Sequence, residues 1–362
     1  MKRARVAGVV ASVACLFSGC FLPSFEKTTE QTPVCESATF EAIGGPTSGP
    51  NDVTDLFFAV RTYDFGESDL ANRPGFDLDR ICTCCDGCEE TPACKTPAGG
   101  DELVCDAVDD VANAGRDNNF AKLLSDLDSA TRERIVSSAA LGLAASSGSS
   151  TLLVRVSNYN GQPDDDSVRL AIYTSDGTNG IAPTWSGTDL WSVRADSINA
   201  TIDEPVFVVD NAYVSKGTLV GVFGAGSGSL ALITPNGFTI RFGYAILQAQ
   251  LESSNGGFRL ADGVIGGMWP VSAIFPALSE IAVNSVATFC SDDPVYTNTL
   301  KPLLCSLPDS IATAAPAVVC DAISVGLAFT AEPILTPITI APKPADAPAC
   351  AADPATDSCG GS

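Results

Sequence analysis

The chain has 362 residues, of which 43 are Asp or Glu, 20 are Lys or Arg and none is His, for a net charge of −23. So strong an acidic excess repels nucleic acid and anionic lipid, and the missing imidazole removes Ser-His-Asp and Cys-His nucleophile activation, histidine general bases and histidine-ligated zinc. With 45% apolar residues and a positive mean hydropathy the chain can bury a real core.

Residues 1–19, MKRARVAGVVASVACLFSG, read as a signal peptide: Lys2, Arg3 and Arg5 precede an apolar run from Val6 to Phe17, and small residues follow. That run, about a dozen residues, falls short of the roughly 20 a spanning helix needs. Small residues directly before Cys20 resemble the lipobox of bacterial lipoproteins, although the usual leucine three places earlier is Phe17 here, with Leu16 one step further out. The resemblance implies that Cys20 is diacylated, becomes the first mature residue and anchors the protein in the bacterial cell envelope, at the outer membrane or cell surface. Residues 20–50 are polar and rich in Pro and Gly, the composition of a flexible tether, and 51–362 are expected to form a single disulfide-stapled domain.

Within that domain, residues 51–110 open with a strand in LFFAVRTYDFG and continue as cysteine-rich loops. An exported thiol cluster reads as a disulfide framework rather than a metal site; Cys85-Asp-Gly-Cys88 lacks the second knuckle of a zinc ribbon. After the leader and Cys20, seven cysteines come early (Cys35, Cys82, Cys84, Cys85, Cys88, Cys94, Cys105) and five late (Cys290, Cys305, Cys320, Cys350, Cys359). If all pair within one chain, parity requires at least one bridge from front to back.

Residues 111–146 read as helices. Phe120, Leu123, Leu124 and Leu127 recur at helical spacing behind the capping candidates Asp117 and Asn118, and a second helix from Ser129 sets Ile135, Val136, Ala139 and Leu143 on one face. Residues 150–270 are β. Leu152, Val154 and Val156 alternate with Leu153, Arg155 and Ser157, then Val168, Leu170 and Ile172 with Arg169, Ala171 and Tyr173, as a hairpin with an extended loop. Further strands are expected in LWSVRAD, PVFVVDNAYVS, TLVGVFG, SLALITP, FTIRFGYAILQAQLES and GFRLADGVIGG.

From 271 to 340 the pattern predicts helices in VSAIFPALSEIAV and DPVYTNTLKPLLCSLPDSI, the second capped by Asp293 and split near Pro302. A return strand in CDAISVGLAFTAEPI would pair near the N-terminal strand, and 341–362 read as an irregular tail. The fold class is therefore mainly β: an antiparallel sandwich or barrel-like core with accessory helices and a disulfide-rich N-terminal loop region.

Candidate sites are few. Asn158, Asn160, Asp164, Asp165 and Asp166 gather oxygen ligands of the kind Ca²⁺ accepts, but without the spacing or glycine of an EF-hand they read first as a solvated acidic turn. Asp77, Asp79, Asp117 and Asn118 would converge on an ion in the same way. Calcium is the cofactor these residues suit. Trp185 and Trp191, in a loop rich in Asp, Asn and Thr, could stack on a glycan or simply cover a core edge. GAGSGS at 224–229 misses both the dinucleotide fingerprint and the nucleophile elbow, and reads as a hairpin tip.

The combination of Cys20 with GFDLD, GRDNNFAKLL, LLVRVSNYNGQPDDDSVRLAIY and LADGVIGG resembles predicted surface lipoproteins of myxobacteria and related Gram-negative bacteria over most of the chain. The resemblance implies an envelope location and carries no catalytic residue with it. The expected protein is a non-catalytic envelope lipoprotein, a structural or ligand-binding module held to the membrane by its lipid. Its expected partners are a glycan or an envelope protein; a lectin-like module and a glycosidase using an Asp/Glu pair are the alternatives.

Overall fold

The computed structural model describes residues 55–79, 94, 115–224, 230–234, 237–254, 257–283, 286–287, 289–312, 319–343 and 350–359. Its strands are β1 (Leu56–Asp64), β2 (Thr151–Ser157), β3 (Asp165–Ser175), β4 (Ser192–Arg194), β5 (Phe207–Ser215), β6 (Thr218–Phe223) and β7 (Leu230–Ile233). They continue with β8 (Thr239–Phe242), β9 (Tyr244–Ser254), β10 (Gly257–Pro270), β11 (Ala282–Val283), β12 (Val286–Ala287), β13 (Ala322–Pro333) and β14 (Thr339–Ala341). Eight of them close into an antiparallel barrel in the order β1-β13-β10-β9-β6-β5-β3-β2, with β2 returning to β1. Closure, rather than two stacked sheets, decides between the barrel and sandwich readings.

The period-two pattern of β2 and β3 sorts onto the two faces of this barrel. Leu152, Val154, Val156, Val168, Leu170 and Ile172 join the main core, which fills the interior, whereas Leu153, Ala171 and Tyr173 join a separate cluster with Trp191, Val193 and Ile334. Every residue of β2 is buried, because Trp191, Val193 of β4, Ile198 and Ile334 cover the outer face there; β14 pairs in parallel with β4. Elsewhere Phe76 and Leu78 cover the outside of the barrel against Tyr213, Val220, Ile246 and Met268. A Cβ on Gly266 would come within 2.5 Å of the Phe76 ring, so that glycine lets the ring lie flat on β10. β14 is a three-residue edge between Pro337 and Pro342, short and proline-flanked as edges that resist further pairing are.

The helices are α1 (Asn119–Asp126), α2 (Ser129–Ile135), α3 (Ser138–Ser147), α4 (Val271–Ser279) and α5 (Lys301–Ser306). Asn118 caps α1 as expected, and Phe120, Leu123, Leu124 and Leu127 all enter the main core. The single helix expected from Ser129 is instead α2 and α3. Val136 is extended, Ser137 caps a new start by accepting from the Ala140 amide, and the Glu67 carboxylate takes the Ser138 N–H at 2.8 Å. Its expected apolar face breaks with it: Ile135 and Val136 are buried but Ala139 is exposed and Leu143 is 69% exposed. FTIRFGYAILQAQLES also divides, at Gly243, because β8 pairs with β7 while β9 enters the barrel. In the second C-terminal helical stretch, a π-helical turn (Tyr296–Leu300) precedes α5, with Pro302 in its first turn and the Asp293 side chain accepting from Val295 N at 2.8 Å.

Three disulfides staple the described residues: Cys94–Cys320, Cys290–Cys350 and Cys305–Cys359. The first is the front-to-back bridge that parity demands. It joins residues 226 positions apart, and a loop of that size is worth about 5 kcal/mol in the chain-entropy limit. Cys35, Cys82, Cys84, Cys85, Cys88 and Cys105 lie outside the described residues, as do the leader, Cys20 and the tether. The expected return strand is β13, and it pairs with β1.

The two late bridges hold the C-terminal segment onto the helices, with Asp357 between them. Its carboxylate accepts from the Tyr296 hydroxyl at 2.6 Å and from Lys301 Nζ at 3.1 Å. The Tyr296 hydrogen bond, followed by Lys301, holds the Asp357 carboxyl below the usual carboxylate range. A depressed native pKa contributes stability above the unfolded value of about 3.9 and loses it as pH falls through the native value. Chemical denaturation should show stability declining below about pH 4, and Asp357→Asn should flatten that part of the profile; an unchanged slope would mean the latch contributes nothing.

Candidate functional site

The polar residues that converge most tightly are Asp117, Asn118 and Asn119, between the end of the cysteine-rich segment and α1. All three are buried. The Asp117 backbone bridges to Phe76, its amide donating to the Phe76 carbonyl at 3.0 Å, and its carboxylate accepts from the amides of Leu78 (2.6 Å) and Asp79 (3.2 Å). Asn118 accepts from Ala121 N at 3.1 Å as the α1 cap, while its Nδ2 faces the carbonyls of Phe65 (2.9 Å), Pro74 (2.8 Å) and Gly326 (3.1 Å). Asn119 accepts nothing local: its amide donates to Ser324 Oγ at 2.9 Å and its Nδ2 to the Leu307 carbonyl at 3.0 Å. A Cβ on Gly326 would overlap the Pro74 carbonyl, so only glycine lets β13 approach this closely.

Asp77, Asp79 and Asp117 each bring one carboxylate oxygen within 4.8 Å of the others, as the spacing of GFDLD and GRDNN suggests. Asp117 is buried and the other two are half-buried. Asn118 stands apart from this group chemically, since its oxygen caps α1 and its nitrogen serves carbonyls. Three hard oxygens in one place can contribute part of the six to eight that Ca²⁺ takes.

The other oxygen-rich loop closes on itself. Asp165 is buried and accepts from the amides of Asn160 (2.7 Å) and Ser167 (3.1 Å), Asp164 accepts from Lys216 N at 2.9 Å, and Asn160 Oδ1 takes Gln162 N at 2.8 Å. Asn158 sits at φ 63° at the turn and Asp166 is exposed. These side chains organise the β2–β3 connection and its contact with the β5–β6 turn. Tyr159, beneath them, has its hydroxyl pushed up to about 12 by burial and by Asp165.

Of the two tryptophans, Trp191 is 1% exposed and belongs to the outer core cluster. Trp185 is half-buried at φ 58°, with its ring centroid 5.4 Å from that of Trp191 and the Arg61 guanidinium 5.6 Å from it. Asp189 shapes this loop by accepting from the amides of Thr184 and Trp185. Trp185 therefore already has an aromatic and a cationic neighbour. Asn119 has no helical or strand period to mark it; its signal is its place in three consecutive small polar residues before an apolar helix.

No known protein family matches the chain, and neither a curated protein nor a solved structure is significantly similar to it.

Replacing Asn118 by Ala removes both the cap and the donor that faces three buried carbonyls. The expected loss is about 3 kcal/mol or more, against about 1 kcal/mol for a cap alone. Asn118→Ser, which keeps the capping oxygen but not Nδ2, should fall clearly between Ala and wild type in urea denaturation; equal midpoints for Ser and wild type would show that the carbonyl contacts carry no weight.

Proposed function

We propose that this chain is a non-catalytic lipoprotein of the bacterial cell envelope, in which a diacylated Cys20 and the 20–50 tether carry a rigid body that acts as a structural or ligand-binding module. The observation that carries the reading is the set of bridges Cys94–Cys320, Cys290–Cys350 and Cys305–Cys359, which belong to an oxidising compartment and agree with a leader at residues 1–19. The barrel interior, packed with side chains, further favours a role for surfaces and loops over one for the lumen.

Metabolic labelling with palmitate tests the anchor. Label should appear in the wild type and vanish in Cys20→Ala, which should also partition into the aqueous phase; a labelled Cys20→Ala protein, or an unlabelled wild type, would refute lipidation at this residue.

A second reading concerns calcium, favoured by the meeting of Asp77, Asp79 and Asp117. The ion would tie the half-buried end of the cysteine-rich segment to the start of α1, a structural task that suits a non-catalytic module. Calcium should raise the melting temperature of the disulfide-intact protein, and Asp77→Asn with Asp79→Asn should abolish the increase; no shift in the wild type would dismiss the ion.

A further inference from the structure

The three bridges differ in how open they are to a second thiol. Cys94 and Cys320 are 6% and 2% exposed, whereas Cys290, Cys350, Cys305 and Cys359 are all half-buried. Exchange needs an attacking thiolate to reach one sulfur of the bridge, so its rate follows access. The front-to-back bridge is shielded; the two late ones are not. Both late bridges also act on one segment, joining residues 350–359 to Cys290 and to Cys305 of α5.

Without those bridges the segment is lightly held. Of residues 350–359 only Pro354 is buried, and Ala351, Asp353, Thr356 and Ser358 are exposed. Its polar contacts with the body gather on Asp357, which accepts from Tyr296 and Lys301, and on the Ala352 carbonyl, which takes the Ser291 N–H at 2.8 Å. Asp353 Oδ1 and the Pro354 carbonyl are used within the segment, by the amides of Ala355 and Asp357. The 3₁₀ turn Pro354–Thr356 packs on α4, which also packs on β8 and β10, so α4 has this segment on one side and the barrel on the other. No side chain caps α4 and Pro276 interrupts its interior, so its order depends on what packs against it.

We infer that Cys290–Cys350 and Cys305–Cys359 form a site of reversible thiol–disulfide modification, at which a dithiol releases residues 350–359 as a strap from α4 while Cys94–Cys320 stays closed. At each bridge one sulfur of the dithiol displaces a cysteine thiolate and forms a mixed disulfide. Its second thiol then displaces the other cysteine; two electrons and two protons pass to the pair, and the dithiol leaves as a disulfide. Barrel closure is made by β1 with β13 and β2, and neither late bridge joins these strands. The inference goes beyond the envelope reading and does not depend on Cys20.

The test is graded reduction of the native full chain with dithiothreitol, with freed thiols trapped by iodoacetamide and mapped by peptide mass spectrometry while hydrogen exchange is followed in parallel. Both late bridges should open about tenfold or more faster than Cys94–Cys320. At that stage the amides of 271–279 should exchange about tenfold or more faster, and those of β9 and β10 should stay protected. Oxidised glutathione should then close the bridges and restore protection to α4. A late bridge that opens no faster than Cys94–Cys320, loss of β9 and β10 protection together with the late bridges, unchanged α4 exchange once they are open, or protection that does not return would each overturn the inference. Failure of the palmitate label would leave these results unaffected, so the two readings fail separately.

Discussion

The carbonyls of Phe65, Pro74 and Gly326 are gathered around one side-chain amide, Asn118 Nδ2. Buried carbonyls need donors, and here the donor is supplied by the residue that also starts α1. Asp117 on one side holds the amides of Leu78 and Asp79, and Asn119 on the other reaches Ser324 and Leu307. Four separate stretches of chain, at Phe65, at 74–79, at Leu307 and at 324–326, are thereby fixed by one tripeptide. The placement of Phe76 over Gly266 and of the acidic group at Asp77 and Asp79 is set from this point.

The barrel these contacts surround is unusual in being covered as well as filled. Eight strands leave an interior that side chains just occupy, and closure removes the free edges that an open sheet would present. Outside, Trp191, Val193, Ile198 and Ile334 screen one sector and Phe76 with Leu78 another. A strand with both faces screened has no solvent side on which to place charge. Arg155 in β2 shows the cost: its guanidinium is held by Asp55, Asp203 and the Ile202 carbonyl, and lies 5.1 Å from the Phe57 ring centroid. Recognition by such a body has to use its periphery, where helices meet hairpins.

Much of this organisation was legible in the sequence because it depends on local period or on counting. Alternation in residues 151–157 and 165–175 identified strands and sorted their faces, Asn118 was readable as a cap, and cysteine parity required the bridge that Cys94 and Cys320 form. Features that failed depend on partners far along the chain. The division between α2 and α3 is enforced by Glu67, 71 residues away, whereas the apolar pattern around Ile135 runs on unbroken. The division at Gly243 reflects which strands lie beside β8 and β9, a matter of tertiary pairing. Trp191 carries the composition of a loop residue and the burial of a core residue, since β14 returns over it. Among the candidate sites, the meeting of Asp77, Asp79 and Asp117 followed from two short motifs, but the competing uses of Asp165 and Asp164 within their own turn did not.

β1 is the first strand of the barrel and also the one that seals it, since its second neighbour, β13, lies near the other end of the chain: Thr62 and Thr330 share a hydrogen bond across 268 positions. A polypeptide made from its N-terminus must therefore hold a half-paired strand, and a thiol at Cys94, until the final third has been synthesised. During that interval the nearer cysteines are the only partners on offer, and the sheet assembled so far keeps open edges at β1 and β10. The seam is accordingly the last part of the molecule to form, and thiol exchange has to remain possible until it does.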